Sequence, residues 1–258
     1  MTRFPTINGP ALVAGLLASG LATTATAPAR AETVYANSFD TEAGGATALG
    51  YTGFTGLTVT KGTVDVVKNG DFGVTCAGGG GSCVDLDGTI FNPGGQLTSG
   101  SYAFGAGETT TLSFLLSATQ SGFGEIDFAG AALTFGSALT GTWGYSLNGI
   151  VTNLGSFAAS ELTRAYYTQS WGPTDPFDAH TLFFTPDSAG TVSFSLSTVS
   201  NNGTGPKLDN LALSIARLPG GGAVPEPGTW AMLILGFGVI GAAARRQSMA
   251  RGLARSIA

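Results

Sequence analysis

The side chains able to do chemistry in this chain are few. There is one histidine, His180, and there are two cysteines, Cys76 and Cys83, among 258 residues. A Ser-His-Asp relay would have to use His180, and no G-x-S-x-G nucleophile elbow accompanies it. In "HTLFFTP" that histidine reads as a strand-surface residue. Asp85 with Asp87, and Glu125 with Asp127, stand two apart, which puts each pair on one face of a strand. Paired carboxylates are what a glycosidase needs, but acids at this spacing also form ordinary solvated faces. The residues therefore predict no catalytic set and no enzyme, with a secreted hydrolase as the remote alternative.

Binding chemistry has more material. Trp143, Tyr145, Tyr166, Tyr167 and Trp171 cluster within one stretch, and aromatic rings on loops stack on pyranose faces. Asp175 or Asp178 could accept hydrogen bonds from sugar hydroxyls. The same rings would serve equally well as core. Cys76 and Cys83 stand in "TCAGGGGSCVD" with six residues between them, four of them glycine. In an exported chain this predicts a disulfide closing a short loop. Zinc would require ligands that the neighbourhood lacks.

The elements that must hold these residues are strands. "LTVTKGTVDVVK" (Leu57–Lys68) alternates on either side of Lys61-Gly62, as a hairpin would. "CVDLDG", "TTTLSFLLSA", "HTLFFTP", "TVSFSLSTV" and "KLDNLALSIA" also alternate. Leu112, Phe114 and Leu116 share one face, as do Val192, Phe194, Leu196 and Thr198, and as do Leu211, Leu213 and Ile215. Turn residues separate the runs at "NPGG", "GAGE", "PDSAG" and "NNGTGP". The fold class is all-β: an antiparallel β-sandwich of the jelly-roll kind. The chain from "ANSFD" (Ala36–Asp40) through "GSCVDLDG" to "GPKLDNLALS" resembles jelly-roll modules related to carbohydrate-binding and galactose-binding-like domains. That resemblance implies glycan contact. It also implies a structural Ca²⁺ held near the first and last strands, with Asp40, Glu42 and Asp209 as candidate ligands.

Both ends read as processing segments. Arg3 precedes a 12-residue apolar run, Ala11–Ala22, and "APARA" offers small residues at Ala29 and Ala31. This pattern predicts a signal peptide over 1–31, cleaved after Ala31. Residues 32–218 are then the sandwich domain and 219–227 a linker. From Glu32 to Glu226 lie all 16 acids and only five bases (Lys61, Lys68, Arg164, Lys207 and Arg217), a net charge of −11. So acidic a body repels phosphate backbones, which argues against nucleic acid. Gly228–Ala244 is 17 residues without a charge, with Trp230 at one end and Arg245-Arg246 at the other. As a helix it would reach roughly 25 Å, barely a bilayer core. Positive-inside charge bias puts Arg245, Arg246 and the basic tail (245–258) in the cytoplasm and the body outside.

"VPEPGTWAMLILGFGVIGAAARR" strongly resembles the PEP-CTERM sorting signal of Gram-negative bacteria. The matching residues are Pro225-Glu226-Pro227, Trp230-Ala231-Met232, Gly236-Phe237-Gly238 and Arg245-Arg246. What the resemblance implies is a stay in the inner membrane, processing by an exosortase, and release to the cell surface or extracellular matrix. The expected role is structural or adhesive and linked to exopolysaccharide; a lectin-like module with a defined glycan is the alternative. One departure is the 12 residues that follow Arg246, where such signals usually stop.

Overall fold

The computed structural model describes residues 30–89, 94–120, 126–169, 175–200 and 202–217, with residue 237. Residues 1–29 of the expected signal peptide (1–31), the linker, the Pro-Glu-Pro motif, the apolar segment apart from Phe237 and the basic tail lie outside the described residues, as do Glu125 and Trp171; Arg30 and Ala31 fall in the first strand. In chain order the strands are β1 (Arg30–Asn37), β2 (Leu57–Lys61), β3 (Asp65–Lys68), β4 (Ser82–Asp85), β5 (Gln96–Ser99) and β6 (Tyr102–Phe104). There follow β7 (Thr109–Ser117), β8 (Ile126–Leu147), β9 (Ile150–Gln169), β10 (Asp178–Pro186), β11 (Gly190–Thr198) and β12 (Lys207–Arg217).

All strand pairs are antiparallel, in the order β2-β5-β11-β8-β10-β7-β12-β4-β3, with β1 on β12, β6 on β11 and β9 on β8. The sheet curls into two layers because β8 belongs to both. Its residues 129–135 pair with β11, and its residues 141–147 pair with β10. Rings meet across the gap: Tyr35 of β1 lies 5.4 Å from Phe194 of β11, and Phe135 lies 4.7 Å from Phe184 of β10. The result is a β-sandwich of jelly-roll type.

The alternating runs bury the faces expected of them. Leu112, Phe114 and Leu116 are buried, as are Val192, Phe194, Leu196 and Thr198, and Leu211, Leu213 and Ile215. Each large apolar side chain removed from water in this way contributes roughly 1.5–3 kcal/mol. The strand-rich composition suits this, since β-branched and aromatic residues pack well on a pleated, half-buried surface.

Two expectations fail. "LTVTKGTVDVVK" is not a hairpin: β2 pairs with β5 and β3 pairs with β4, so the two halves sit at opposite ends of the strand order. Alternation reports which face is buried and says nothing about which strand lies alongside. "CVDLDG" does not alternate either, because Cys83, Val84, Asp85, Leu86 and Asp87 are all buried.

The disulfide joins Cys76 and Cys83 and buries both. Closing so small a loop stabilises by about 2–3 kcal/mol on the chain-entropy account. Buried aspartates fasten the neighbouring loops. Asp65 accepts from the backbone N–H groups of Gly50 (2.7 Å) and Thr89 (2.9 Å), and Asp87 from those of Asn202 (2.9 Å) and Gly203 (3.0 Å). Asp85 accepts from Gly205 N–H at 2.9 Å and from the buried Lys207 ammonium at 2.8 Å. Burial still pushes the Asp85 carboxyl up to about 6, outweighing the pull of Lys207.

Candidate functional site

A cleft opens at the end of the sandwich where β10 begins and β7 ends. Its position follows from register. His180 pairs with Leu147 and Phe114, Leu182 with Tyr145, and Phe184 with Trp143. Directly opposed residues share a face, so Trp143, Tyr145 and Leu147 point inward with Phe184, Leu182 and His180. On β9, Leu162, Arg164 and Tyr166 oppose Leu133, Ala131 and Ala129 and form the inward row of the other layer. Both rows begin apolar, at Leu162 and at Phe184. Towards the end of the sandwich they turn polar, to Arg164, Tyr166 and Thr168 and to His180 and Asp178. The layers close over the apolar part and part over the polar part.

The resulting cavity has a volume of about 410 Å³ and is lined by Leu116, Ser117, Arg164, Tyr166, Thr168, Asp175, Asp178 and His180. A second cavity of about 240 Å³, lined by Tyr145, Ile150 and Thr152, shares Leu147, Arg164, Tyr166 and His180 with it. Together they fall within the size range of small-molecule and oligosaccharide sites.

Several local devices set the side chains. Tyr166 meets the His180 ring edge-on at 4.4 Å, and His180 stacks on Phe114 at 5.4 Å. The Arg164 guanidinium lies 3.7 Å from the centroid of the Tyr145 ring, a cation–π contact. The β8–β9 turn is Asn148-Gly149, both with positive φ (47° and 82°), the backbone of a type I′ hairpin. Asn148 then ties the turn to β10. Its Nδ2 donates to Asp178 Oδ1 at 2.8 Å, and its Oδ1 accepts from Ala179 N–H at 2.8 Å. The Asp175 carbonyl accepts from Ser117 Oγ at 3.1 Å, fixing the segment that precedes β10.

What distinguishes this cleft is unmet hydrogen bonding. Arg164 Nε, Tyr166 Oη, Thr168 Oγ1 and His180 Nδ1 are all buried without a partner among the described residues. Buried polar groups in folded proteins are nearly always paired, and four orphans around one opening are donors and acceptors set for a polar ligand. Burial drives the His180 pKa down to about 4; Arg164 adds to that fall and Asp178 opposes it. The ring is therefore neutral near pH 7 and offers one donor and one acceptor nitrogen. Burial also raises the Tyr166 phenol, so it stays protonated.

The residues singled out from sequence divide. Tyr145, Tyr166, Asp175, Asp178 and His180 all line these cavities. Trp143 does not: it is fully buried, packed against Phe184 and Phe157, with its indole N–H donating to the Phe157 carbonyl at 3.1 Å. A ring enclosed in this way cannot be a sugar platform. Tyr166 is also mostly buried, and Arg164 occupies one face of Tyr145, so the cleft offers polar contacts in place of flat stacking. Tyr167 lies on β9 opposite Phe128. His180 is buried, contrary to its expected place on a strand surface, and among the described residues its Nδ1 bonds no serine or acid. Arg164 and Thr168 also line the cleft; neither stands in a motif, and only their alternation with Leu162 and Tyr166 marks them in the sequence.

The other candidates sit elsewhere. Asp85 and Asp87 are buried loop fasteners, and Asp127 accepts from Ser200 Oγ at 2.6 Å. The Ca²⁺ candidates do not form one cradle. Glu42 accepts from Asn37 Nδ2 (2.7 Å), Thr55 N–H (2.9 Å) and the Tyr51 hydroxyl (3.4 Å). Asp209 accepts from Asn210 N–H (2.7 Å) and Ala77 N–H (3.0 Å), and Asp40 from Ser82 N–H (3.1 Å). Asp40 and Asp209 thus grip the two ends of the disulfide loop. Burial, with help from Asp40, pushes Asp209 up to about 6. Among the described residues no three His, Cys, Asp or Glu side chains converge as a metal site.

Comparison with known proteins gives one motif and several distant structural likenesses. The family model for the PEP-CTERM protein-sorting motif matches residues 223–247, so the chain carries that motif. No curated protein matches the sequence. Among solved structures, the CBM22-1 xylan-binding domain of Paenibacillus barcinonensis Xyn10C is 10% identical with a TM-score of 0.41, covering 74% of this chain and 99% of its own. The family 11 carbohydrate-binding module of Clostridium thermocellum, in complex with a mixed-linked tetrasaccharide, is 14% identical with a TM-score of 0.29, covering 74% and 98%. A Stig cyclase of Fischerella sp. TAU is 11% identical with a TM-score of 0.34, covering 73% and 100%. These likenesses are distant and extend to no ligand.

Proposed function

We propose that this protein is exported, held briefly in the inner membrane, processed by an exosortase and released to the cell surface or matrix of a Gram-negative bacterium, where it binds glycan without catalysis. The sorting half of the reading rests on the motif at 223–247. The binding half rests on one observation: the four unpartnered polar atoms around the Arg164–Tyr166–Thr168–His180 cleft. A sugar carries a hydroxyl on nearly every carbon, each both donor and acceptor, and can satisfy such a set. The role is then adhesive, joining the protein to exopolysaccharide.

The non-catalytic part is supported by His180, whose Nδ1 has no acid to orient it, and by Asp178, which is engaged by Asn148. The test is retention of the full-length chain on the native exopolysaccharide and on a polysaccharide panel. The variants are Tyr166→Phe and Thr168→Val, which delete orphan atoms while nearly keeping shape. Both should lose glycan affinity at least several-fold. Both should melt no lower than the parent, because removing an unsatisfied buried polar atom does not destabilise. Retention by no polymer, or unchanged binding by both variants, would sink the binding reading.

A further inference from the structure

We propose that the glycan taken by this cleft is acidic, a uronate-bearing polymer, and that Arg164 receives its carboxylates. The inference rests on the glycan reading of the cleft and adds the ligand's charge. Of the five bases between Glu32 and Glu226, two have settled partners. Lys207 is buried against Asp85 at 2.8 Å, and Arg217 bonds Glu32 and Glu108, each at 2.9 Å. Lys61 and Lys68 are exposed at strand ends. Lys207 and Arg164 both line cavities, but Lys207 is already spent on Asp85, whereas among the described residues no carboxylate pairs with Arg164.

Its geometry is that of a receptor. The Tyr145 ring supports the guanidinium at 3.7 Å, which limits the rotamer freedom it would otherwise lose on binding. Nε is buried and unpartnered, so the fork is short of the acceptor its planar N–H groups are shaped for. A carboxylate fills such a fork with two parallel charge-assisted bonds, which a neutral hydroxyl cannot do. Tyr166 Oη and the neutral His180 ring stand beside it as further donors.

Two acids also line the cleft. Asp178 is engaged by Asn148, and Asp175 is nine-tenths buried. The body as a whole is acidic and repels a polyanion at long range. That field is screened beyond about 8 Å at physiological ionic strength, so the contact at Arg164 decides.

The experiment measures binding of the full-length chain in detergent to polygalacturonate and to alginate, each beside its carboxyl-reduced, neutral form, with xylan as a further neutral polymer. At least one acidic polymer should bind roughly tenfold or more tighter than its reduced form, as expected of charge-assisted hydrogen bonds. That preference should fall with added salt. Arg164→Gln should abolish it, so that each acidic polymer binds no tighter than its reduced form, and Arg164→Lys should restore only part. Equal or tighter binding of the reduced or neutral polymers would overturn the acidic inference and leave the glycan reading standing. A preference that survives in a folded Arg164→Gln would overturn the role of Arg164. Retention of no polymer at all would overturn both.

Discussion

His180 occupies the residue position where packing and recognition meet. Its ring is held between Phe114 and Tyr166, and burial lowers its pKa to about 4 from an ordinary 6.5. The sign follows from linkage. Between pH 6.5 and 4 the unfolded chain binds a proton that the folded chain refuses. The contribution to stability is therefore complete above pH 6.5 and is lost as pH falls towards 4. Asp85 and Asp209, both raised to about 6, act in the opposite sense between about pH 6 and 3.8. A His180→Phe variant retains those two aspartates, so its stability difference from the parent isolates the histidine. Denaturant unfolding of both should show the parent losing ground as pH drops from 6.5 to 4, and the imidazole NMR signal should stay neutral down to about pH 5. An imidazole midpoint near 6.5 would mean that the ring is solvated and not buried. The sequence allowed this burial without deciding it. In "HTLFFTP" His180 shares its row with Leu182 and Phe184, but Phe183 stands in the other row, so alternation alone does not say which row faces the core.

At the scale of elements, the β8–β9 hairpin builds the site. Its 22- and 20-residue strands are the part of the fold least evident in the sequence. β8 crosses from one layer to the other, so its buried face has different neighbours along its length, and Gly, Ala and Thr interrupt the apolar pattern. Gly141 shows why they are needed: a Cβ there would lie 2.4 Å from the Phe184 ring and 2.4 Å from the Thr185 carbonyl. One local signal was nonetheless present, since Asn148-Gly149 is the dipeptide that type I′ hairpins favour. The shorter strands β7, β11 and β12 each face a single core and keep clean alternation, which is why they were readable. The hairpin carries its own prediction. Asn148→Ala removes the two side-chain bonds to Asp178 and Ala179, and Gly149→Ala forces a side chain into φ +82°. Each should cost about 1 kcal/mol in a thermal melt. Asn148→Ala should also weaken glycan binding several-fold by freeing Asp178 and the hairpin tip, while Gly149→Ala, which keeps those bonds, should weaken it less. Equal binding by parent and Asn148→Ala would show that the tip does not position the cleft.

For the whole molecule, the register of β12 fixes which end of the sandwich carries the cleft. Lys207, at its start, pairs with Ser117, a cleft residue, whereas Ala216, near its finish, pairs with Thr109 at the far end of β7. At about 3.3 Å per residue, those two ends stand roughly 30 Å apart. The chain leaves the described fold at Arg217 and continues towards the sorting motif at 223–247. The exit therefore lies at the end opposite the cleft. A precursor held by its C-terminal apolar segment would present the cleft away from the membrane, competent for glycan before it is cut. Mass spectrometry of the released protein should show loss of everything from near Pro227 onward, and a mature chain still holding Trp230 to Arg246 would make the segment a permanent anchor instead. A Glu226→Ala precursor, altered in the Pro-Glu-Pro tripeptide, should remain with the membrane. Spheroplasts carrying it should be captured on glycan beads, and the Tyr166→Phe change should reduce that capture as it reduces binding by the purified chain. Released protein that binds while spheroplasts bearing the uncut precursor do not would contradict this orientation, and would mean that cleavage, and not export alone, exposes the site.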